Sequence, residues 1–290
     1  MLDFVVDKEF EKMTVGRYLR TYCSVSARTL AKLKRVEGAI LLNGKSARAI
    51  DTVKYDDIIS IDIPAGVSEG ITPIDMPMDI IYEDKYLIVL NKPPFMPVHP
   101  TKVHQKDTLA NALCFYEENR GEQYTFHAVN RLDRNTSGLV IVAKDRHTAS
   151  IMSNLNITKH YTAFVMGKIR DKGCVNAPIG LSENSKMVRT VTSDGKSAIT
   201  HYEPIDFKDN FTVLKLILET GRTHQIRCHM SYIGHPLLGD DLYGGTMEYI
   251  NRHALHCGFI SFVHPISKDV INLTADLPDD MKNVLKNASE

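Results

Sequence analysis

Arg131-Leu132-Asp133-Arg134-Asn135-Thr136-Ser137-Gly138 sets one carboxylate between two arginines ahead of a Thr-Ser-Gly turn, and Gly138 to Ala143 continues as an unbroken apolar, β-branched run. Such a run reads as a buried strand. The charged turn is therefore joined to the interior of a sheet. Taken alone, Asp133 reads most simply as a cap on its own turn, bonding through Thr136 and Ser137. A functional role has to be argued from the rest of the chain.

With 290 residues and 43% hydrophobic content, the chain can bury one large core and leave room for a small second one. No repeat is visible, and no apolar run approaches the roughly 18 residues that span a bilayer. Met1 to Phe10 alternates acidic and apolar residues, unlike the charged-then-apolar plan of a signal peptide. A cytoplasmic protein is expected, monomeric by default. Cys23, Cys114, Cys174, Cys228 and Cys257 are odd in number and form no Cys-x-x-Cys pair, so free thiols are expected rather than disulfides or zinc.

Net charge is zero but unevenly spread. Lys12, Arg17, Arg20, Arg28, Lys32, Lys34, Arg35, Lys45, Arg48 and Lys54 face only Glu37 and Asp51, a local excess of +8. Such asymmetry is the footprint of phosphate binding, whereas an ordinary solvated face mixes the signs. Thr14 and Ser26 are expected N-caps of helices over Val15 to Tyr22 and Ala27 to Val36. Ala39 to Leu42 reads as a strand, Asn43-Gly44 as a type I′ turn, and Ile58 to Ile63 as the returning strand. Two short helices with such a hairpin resemble the S-four-type RNA-binding module. The resemblance implies RNA contacts from Arg17, Arg28, Lys32, Arg35 and Lys45. The other reading is a small basic domain that packs on its neighbour.

Pro64 to Pro77, with Gly66, Gly70 and three prolines, reads as a linker. The expected organisation is a basic module over 1–65, a linker over 66–77 and a larger domain over 78–290. In that domain Ile80 to Tyr82, Tyr86 to Asn91, Gly138 to Ala143 and Lys159 to Gly167 read as strands. Ala198 to Phe207 and Phe211 to Leu218 read as an antiparallel pair. Leu109 to Glu118 reads as a helix, Asp145 caps another, and Thr223 to Ile233 reads as a third capped by Thr223. Strands, hairpins and helices interspersed in this way favour an α+β fold with a mixed, mostly antiparallel sheet. His224 and His229 lie five apart with no accompanying carboxylate, which is not a helical metal-ligand spacing. No Gly-x-Gly-x-x-Gly or Walker loop is present, so no nucleotide cofactor is expected.

Asn91-Lys92-Pro93-Pro94 before His99-Pro100, the Arg131 to Gly138 stretch, Lys159-His160-Tyr161-Thr162-Ala163, Gly221-Arg222-Thr223-His224-Gln225-Ile226-Arg227, Gly234 to Asp240 and Leu255-His256 follow one another in order. Together they resemble the RluA-type RNA pseudouridine synthases over most of Asp79 to Pro265. The resemblance implies that Asp133 is the catalytic carboxylate, acting without cofactor or metal. It implies that Tyr161 packs against the target uracil and that Arg227 is the basic partner of Asp133. Such a pair at about 4 Å attracts by roughly 4 kcal/mol at an effective dielectric of 20, before desolvation.

Arg131 is implied to fill the gap left by an extruded nucleotide, and Arg222, a rival for the Arg227 role, suits phosphate contact better from its place before the helix. Tyr161 otherwise reads as a core tyrosine sharing a strand face with Ala163 and Val165, and Arg227 as a surface ion pair. The implied partner is RNA, large-subunit ribosomal RNA first and transfer RNA second, with no membrane. A non-catalytic RNA-binding assembly factor and a nucleoside or glycoside hydrolase are the other function classes. A glycosidase would normally place a second carboxylate across the bond, and none is evident beside Asp133.

Overall fold

The expected basic half and the larger half each raise a sheet of their own. In a computed structural model, every residue is described except Met1, Ser24, Ser26, 63–70, 123–124, Asn184, Lys186 and 289–290. The first sheet is built from β1 (Leu2–Val5), β2 (Ile40–Leu42), β3 (Lys45–Ser46) and β4 (Ile58–Ile61), in the order β1-β4-β2-β3, with α1 (Val15–Thr21) and α2 (Ala27–Leu33) beside it. Its core is Val15, Tyr18, Leu19, Leu33, Ile59 and Ile61, each no more than 1% exposed.

Thr14 caps α1 as expected, its hydroxyl accepting from the Arg17 N–H at 3.3 Å. Ser26 lies outside the described residues. Asn43 and Gly44 take φ of 50° and 77°, the left-handed pair a type I′ turn requires. The strand returning directly from that turn is the two-residue β3, a correction to the expected hairpin, while β4 pairs with the other edge of β2.

The larger sheet uses β5 (Ile80–Glu83), β6 (Leu87–Lys92), β7 (His127–Ala128), β8 (Ser137–Ala143), β9 (Thr158–Met166), β10 (Gly173–Asn176), β13 (Ile199–Phe207), β14 (Phe211–Leu218), β15 (Leu255–Val263) and β16 (Val270–Thr274). Strands β11 (Ile179–Leu181) and β12 (Arg189–Val191) form a separate hairpin; α3 (Leu109–Asn119), α4 (Arg146–Met152), α5 (Gln225–Tyr232) and α6 (Asp279–Asn287) complete the chain. The order is β10-β13-β14-β9-β15-β8-β6-β5, with β7 on β8 and β16 on β15. Only the β15–β8 pair is parallel among those described, so the α+β fold with a mixed, mostly antiparallel sheet is the observed one.

All seven residues of β8 are buried, which explains why its sequence is an apolar run instead of an alternation. Gly138, the second residue of that strand, has φ +115°, and a Cβ there would clash with the Cys257 carbonyl oxygen. Only glycine lets β15 approach so closely at the place where the Asp133 turn enters the sheet. Asp145 caps α4, accepting from the Thr148 N–H at 2.8 Å.

Of the stretch read as a linker, 71–77 are described. The Ile74 N–H donates to the Asn111 carbonyl at 3.2 Å, and the Asn111 amide donates to the Thr72 carbonyl at 2.7 Å. No helix among the described residues is long and apolar enough to cross a membrane.

Candidate active site

Asp133 sits in the loop between β7 and β8, at the edge of the large core. The turn behind it is closed by main chain, the Thr136 N–H donating to the Asp133 carbonyl at 3.1 Å. The carboxylate is therefore not spent on capping; it lies 3.5 Å from Arg227 Nη1 and 3.7 Å from His224 Nε2, 26% exposed. It lines an open cavity together with Arg131, Tyr161, Arg222, His224 and Arg227.

Arg227 projects from α5, 6% exposed, so the surface ion pair is excluded. Its primary partner is not Asp133. Nε and Nη2 fork onto both oxygens of Asp240 at 2.7 Å each, leaving Nη1 for Asp133, and the guanidinium stacks 4.9 Å from the Tyr243 ring centroid. This corrects the simple Asp133–Arg227 pair, because a bidentate fork satisfies a buried guanidinium better than one long contact. Burial works against its charge, but the Asp240 hydrogen bonds and charge outweigh that and hold its pKa above the ordinary value.

The start of α5 is a second correction. Thr223 is not the cap; His224 takes that place in a left-handed conformation, φ 56°, with no side-chain cap bond. Its ring is drawn outward instead, Nδ1 bonding the Tyr243 hydroxyl at 3.0 Å. The side-chain amide oxygen of Gln225, Oε1, closes the turn by accepting from the Arg222 N–H at 2.9 Å. Burial, Arg227 and Arg189 lower the His224 pKa against the pull of Asp133. The shift favours the neutral imidazole beside Asp133.

Tyr161, on β9, is 7% exposed and shares the core with Ala163 and Val165, as a core tyrosine of the strand would, while its side chain also lines the cavity. Burial pushes its phenol well above the usual tyrosine range, keeping it protonated.

Two further buried basic side chains hold the loop itself. Lys92, fully buried, donates from Nζ to the carbonyls of Pro93 and Met96 at 2.8 Å and of Arg134 at 3.1 Å, using all three of its donors. Burial draws its pKa down to about 7. Arg252, 1% exposed, donates to the Asn135 carbonyl at 3.0 Å and forks onto Asp280 of α6 at 2.6 and 2.9 Å. The two residues after Asp133 are thus clamped from opposite segments. Beneath them His253 Nε2 meets the Thr136 hydroxyl at 2.8 Å, its pKa driven to about 2 by burial and then by Arg227 and Arg252.

The sequence profile of the family described as RNA pseudouridylate synthase matches residues 86–232. An uncharacterized RNA pseudouridine synthase of Bacillus subtilis (strain 168), YjbO, is 40% identical over 94% of this chain and 99% of its own. The chain belongs to the RNA pseudouridylate synthase family.

Ribosomal large subunit pseudouridine synthase D of Zymomonas mobilis subsp. mobilis is 37% identical over 81% of this chain and 80% of its own. The solved human RNA pseudouridylate synthase domain containing 4 has the same fold, with TM-score 0.60 at 24% identity, covering 73% of this chain and 93% of that one.

In this synthase, Asp133, Tyr161 and Arg227 meet in one cavity, with Arg131 and Arg222 exposed at its lining. Arg17, Lys32, Arg35 and Lys45 are exposed on the N-terminal unit and do not line it; the side chain of Arg28 lies outside the described residues. His229 is tied to the Thr200 hydroxyl and the Ala177 carbonyl, both at 2.9 Å, a structural use. Sequence reading missed Asp240, Arg252 and Asp280 as partners. Asp240 stood at the end of a quoted motif, which was its only signal.

Proposed function

We propose that this synthase isomerises a uridine of large-subunit ribosomal RNA, with Asp133 as the catalytic carboxylate. The isomerisation breaks the bond from the ribose carbon to the uracil nitrogen, turns the base, and rejoins the sugar to ring carbon 5, which gives up its proton. No electrons change hands overall, so the reaction has no stoichiometric need for a redox cofactor or ATP. One carboxylate suffices to begin it, by attack on the glycosidic carbon or by removing the ribose 2′ proton.

The observation that carries the reading is the position of the Asp133 carboxylate, at the cavity wall opposite no other acid and 3.5 Å from Arg227 Nη1. Tyr161 offers its ring to the base, a contact worth roughly 1 to 3 kcal/mol, and a protonated phenol near the moving proton. Arg131 takes the place of the extruded nucleotide in its stack, offsetting an extrusion cost of a few kcal/mol. The basic unit around α1, α2 and the Asn43-Gly44 hairpin acts as the S-four-type module, over 1–65, and holds structured RNA through Arg17, Arg28, Lys32, Arg35 and Lys45. Ribosomal RNA is favoured by the relatives that carry the name ribosomal large subunit pseudouridine synthase D. The protein works in the cytoplasm as a monomer.

Mapping pseudouridines across ribosomal and transfer RNA tests this. A deletion strain should lack at least one large-subunit site, restored by the wild-type gene and not by Asp133→Asn. Restoration by Asp133→Asn would overturn the assignment, and loss confined to transfer RNA would overturn the substrate.

A further inference from the structure

A second cleft opens beside the Asp133 cavity, and its wall contains Arg189, Lys196, Arg222 and Thr223. Asp194 is its single acidic lining residue. The cleft runs between the β11–β12 hairpin and the loop before α5. Arg222 lines both hollows, so they adjoin at its side chain. A second connection runs through Tyr243: its hydroxyl accepts from the Arg189 main-chain N–H at 2.9 Å and bonds His224, the neighbour of Asp133, at 3.0 Å.

The cations of this cleft are not used up by the protein. Arg189 Nε is buried with no hydrogen-bond partner among the described residues. Arg222 is steered along the wall by one bond, Nε to the Ser197 carbonyl at 3.0 Å, and its two Nη groups have no partner among the described residues. Lys196 is exposed at the rim. A Cβ built on Gly221 would meet nothing within 4 Å, so the main chain there faces open space. A buried donor without an acceptor costs roughly 1 to 3 kcal/mol, and an anionic oxygen is the natural group to satisfy it.

We propose that this cleft is a subsite for the phosphodiester backbone flanking the target uridine, with Arg189 and Arg222 as guanidinium clamps, Lys196 as a point charge and the Thr223 hydroxyl as a neutral donor. The inference rests on the reading that Asp133 acts on a nucleotide of RNA. A uridine drawn into the Asp133 cavity keeps its flanking phosphates within one nucleotide of it, and the shared Arg222 marks the side on which cationic donors wait. Guanidinium forks match phosphate oxygens bidentately, whereas an ammonium adds attraction without direction. Subsite contacts of this kind fix register without reading the base.

The full chain carrying Arg189→Gln, Lys196→Gln or both should be assayed on an unmodified transcript of large-subunit ribosomal RNA. For the double variant we expect KM to rise on the order of ten-fold or more, with kcat kept at saturating RNA. The slope of log affinity against log salt should flatten by about 0.7 per cation removed, the single-strand value. Lys196 is exposed, so its substitution does not threaten the fold, and Arg189→Lys should recover part of the loss. Unchanged KM and salt slope in variants of an active wild type would overturn the subsite, as would a fall in kcat with KM intact. A wild type that makes no pseudouridine in this transcript would instead count against the proposed substrate.

Discussion

In the N-terminal unit Arg17, Lys32, Arg35 and Lys45 stand exposed, whereas Lys92, Arg227 and Arg252 of the large domain are at most 6% exposed, and each is bonded to carbonyl or carboxylate oxygens of the protein. The same charge therefore serves two physical ends. Exposed cations act at a distance, attract a polyanion and are screened by salt. Buried ones have lost their water and hold only because oxygens surround them, so they fix geometry. A second contrast points the same way: all 12 histidines lie beyond residue 98, and none is in the basic unit.

The largest break should come at Asp240. Asp240→Asn leaves the fork of Arg227 with one charged partner fewer, at a cost of about 3 to 5 kcal/mol for a broken buried pair, read as a fall in unfolding free energy and loss of product. Asp240→Glu should recover little, because a longer stem cannot keep both oxygens 2.7 Å from the guanidinium.

Next is the clamp from α6. Asp280→Asn loosens Arg252 and with it the Asn135 carbonyl, so kcat should drop, by up to about 100-fold if the carboxylate is displaced by 1 Å. KM should change little, since Asp280 lines neither the Asp133 cavity nor the cleft beside it. A KM effect with normal kcat would refute the clamp.

Buried His253 gives a pH-dependent effect that is small near neutrality. His253 is held near a pKa of about 2 in the native chain and returns to 6.5 when unfolded. Below 6.5 the unfolded chain takes up a proton that the native one refuses, so stability falls as pH drops from 6.5 toward 2. This site contributes a slope of about 1.4 kcal/mol per pH unit. His253→Gln should flatten the acid limb of a urea-denaturation series by about one proton; an unchanged slope would contradict the buried neutral ring.

Smallest is the surface of the basic unit. Lys32→Gln with Arg35→Gln should weaken RNA binding a few-fold at low salt and almost not at all at high salt, checked by filter binding across a salt series. Stability should move by no more than about 0.5 kcal/mol, as usual for exposed sites.

The parts of the fold written in local pattern were legible in the sequence. The apolar run of β8, the Asp145 cap and the Asn43-Gly44 turn each depend on neighbours in the chain, and each stands where the sequence puts it. The site was legible as a set of residues and not as a network. Arg227 finds its fork in Asp240 only after the loop behind α5 folds back, and Arg252 meets Asp280 across 28 residues. His224 and not Thr223 stands at the cap, in a left-handed turn with its ring bonded to Tyr243, a tertiary contact that no helix-start rule contains. Charge count alone could not separate the exposed arginines from the buried ones.

Tritium release from RNA labelled at uracil carbon 5, measured in a single turnover with saturating enzyme, tests the division between the two kinds of cation and the carboxylate they serve. Asp133→Asn should bind the RNA and release no tritium, while Lys32→Gln with Arg35→Gln should release it at the wild-type rate once binding is saturated. Release by Asp133→Asn, or a lasting rate defect in the basic-unit variant, would contradict it.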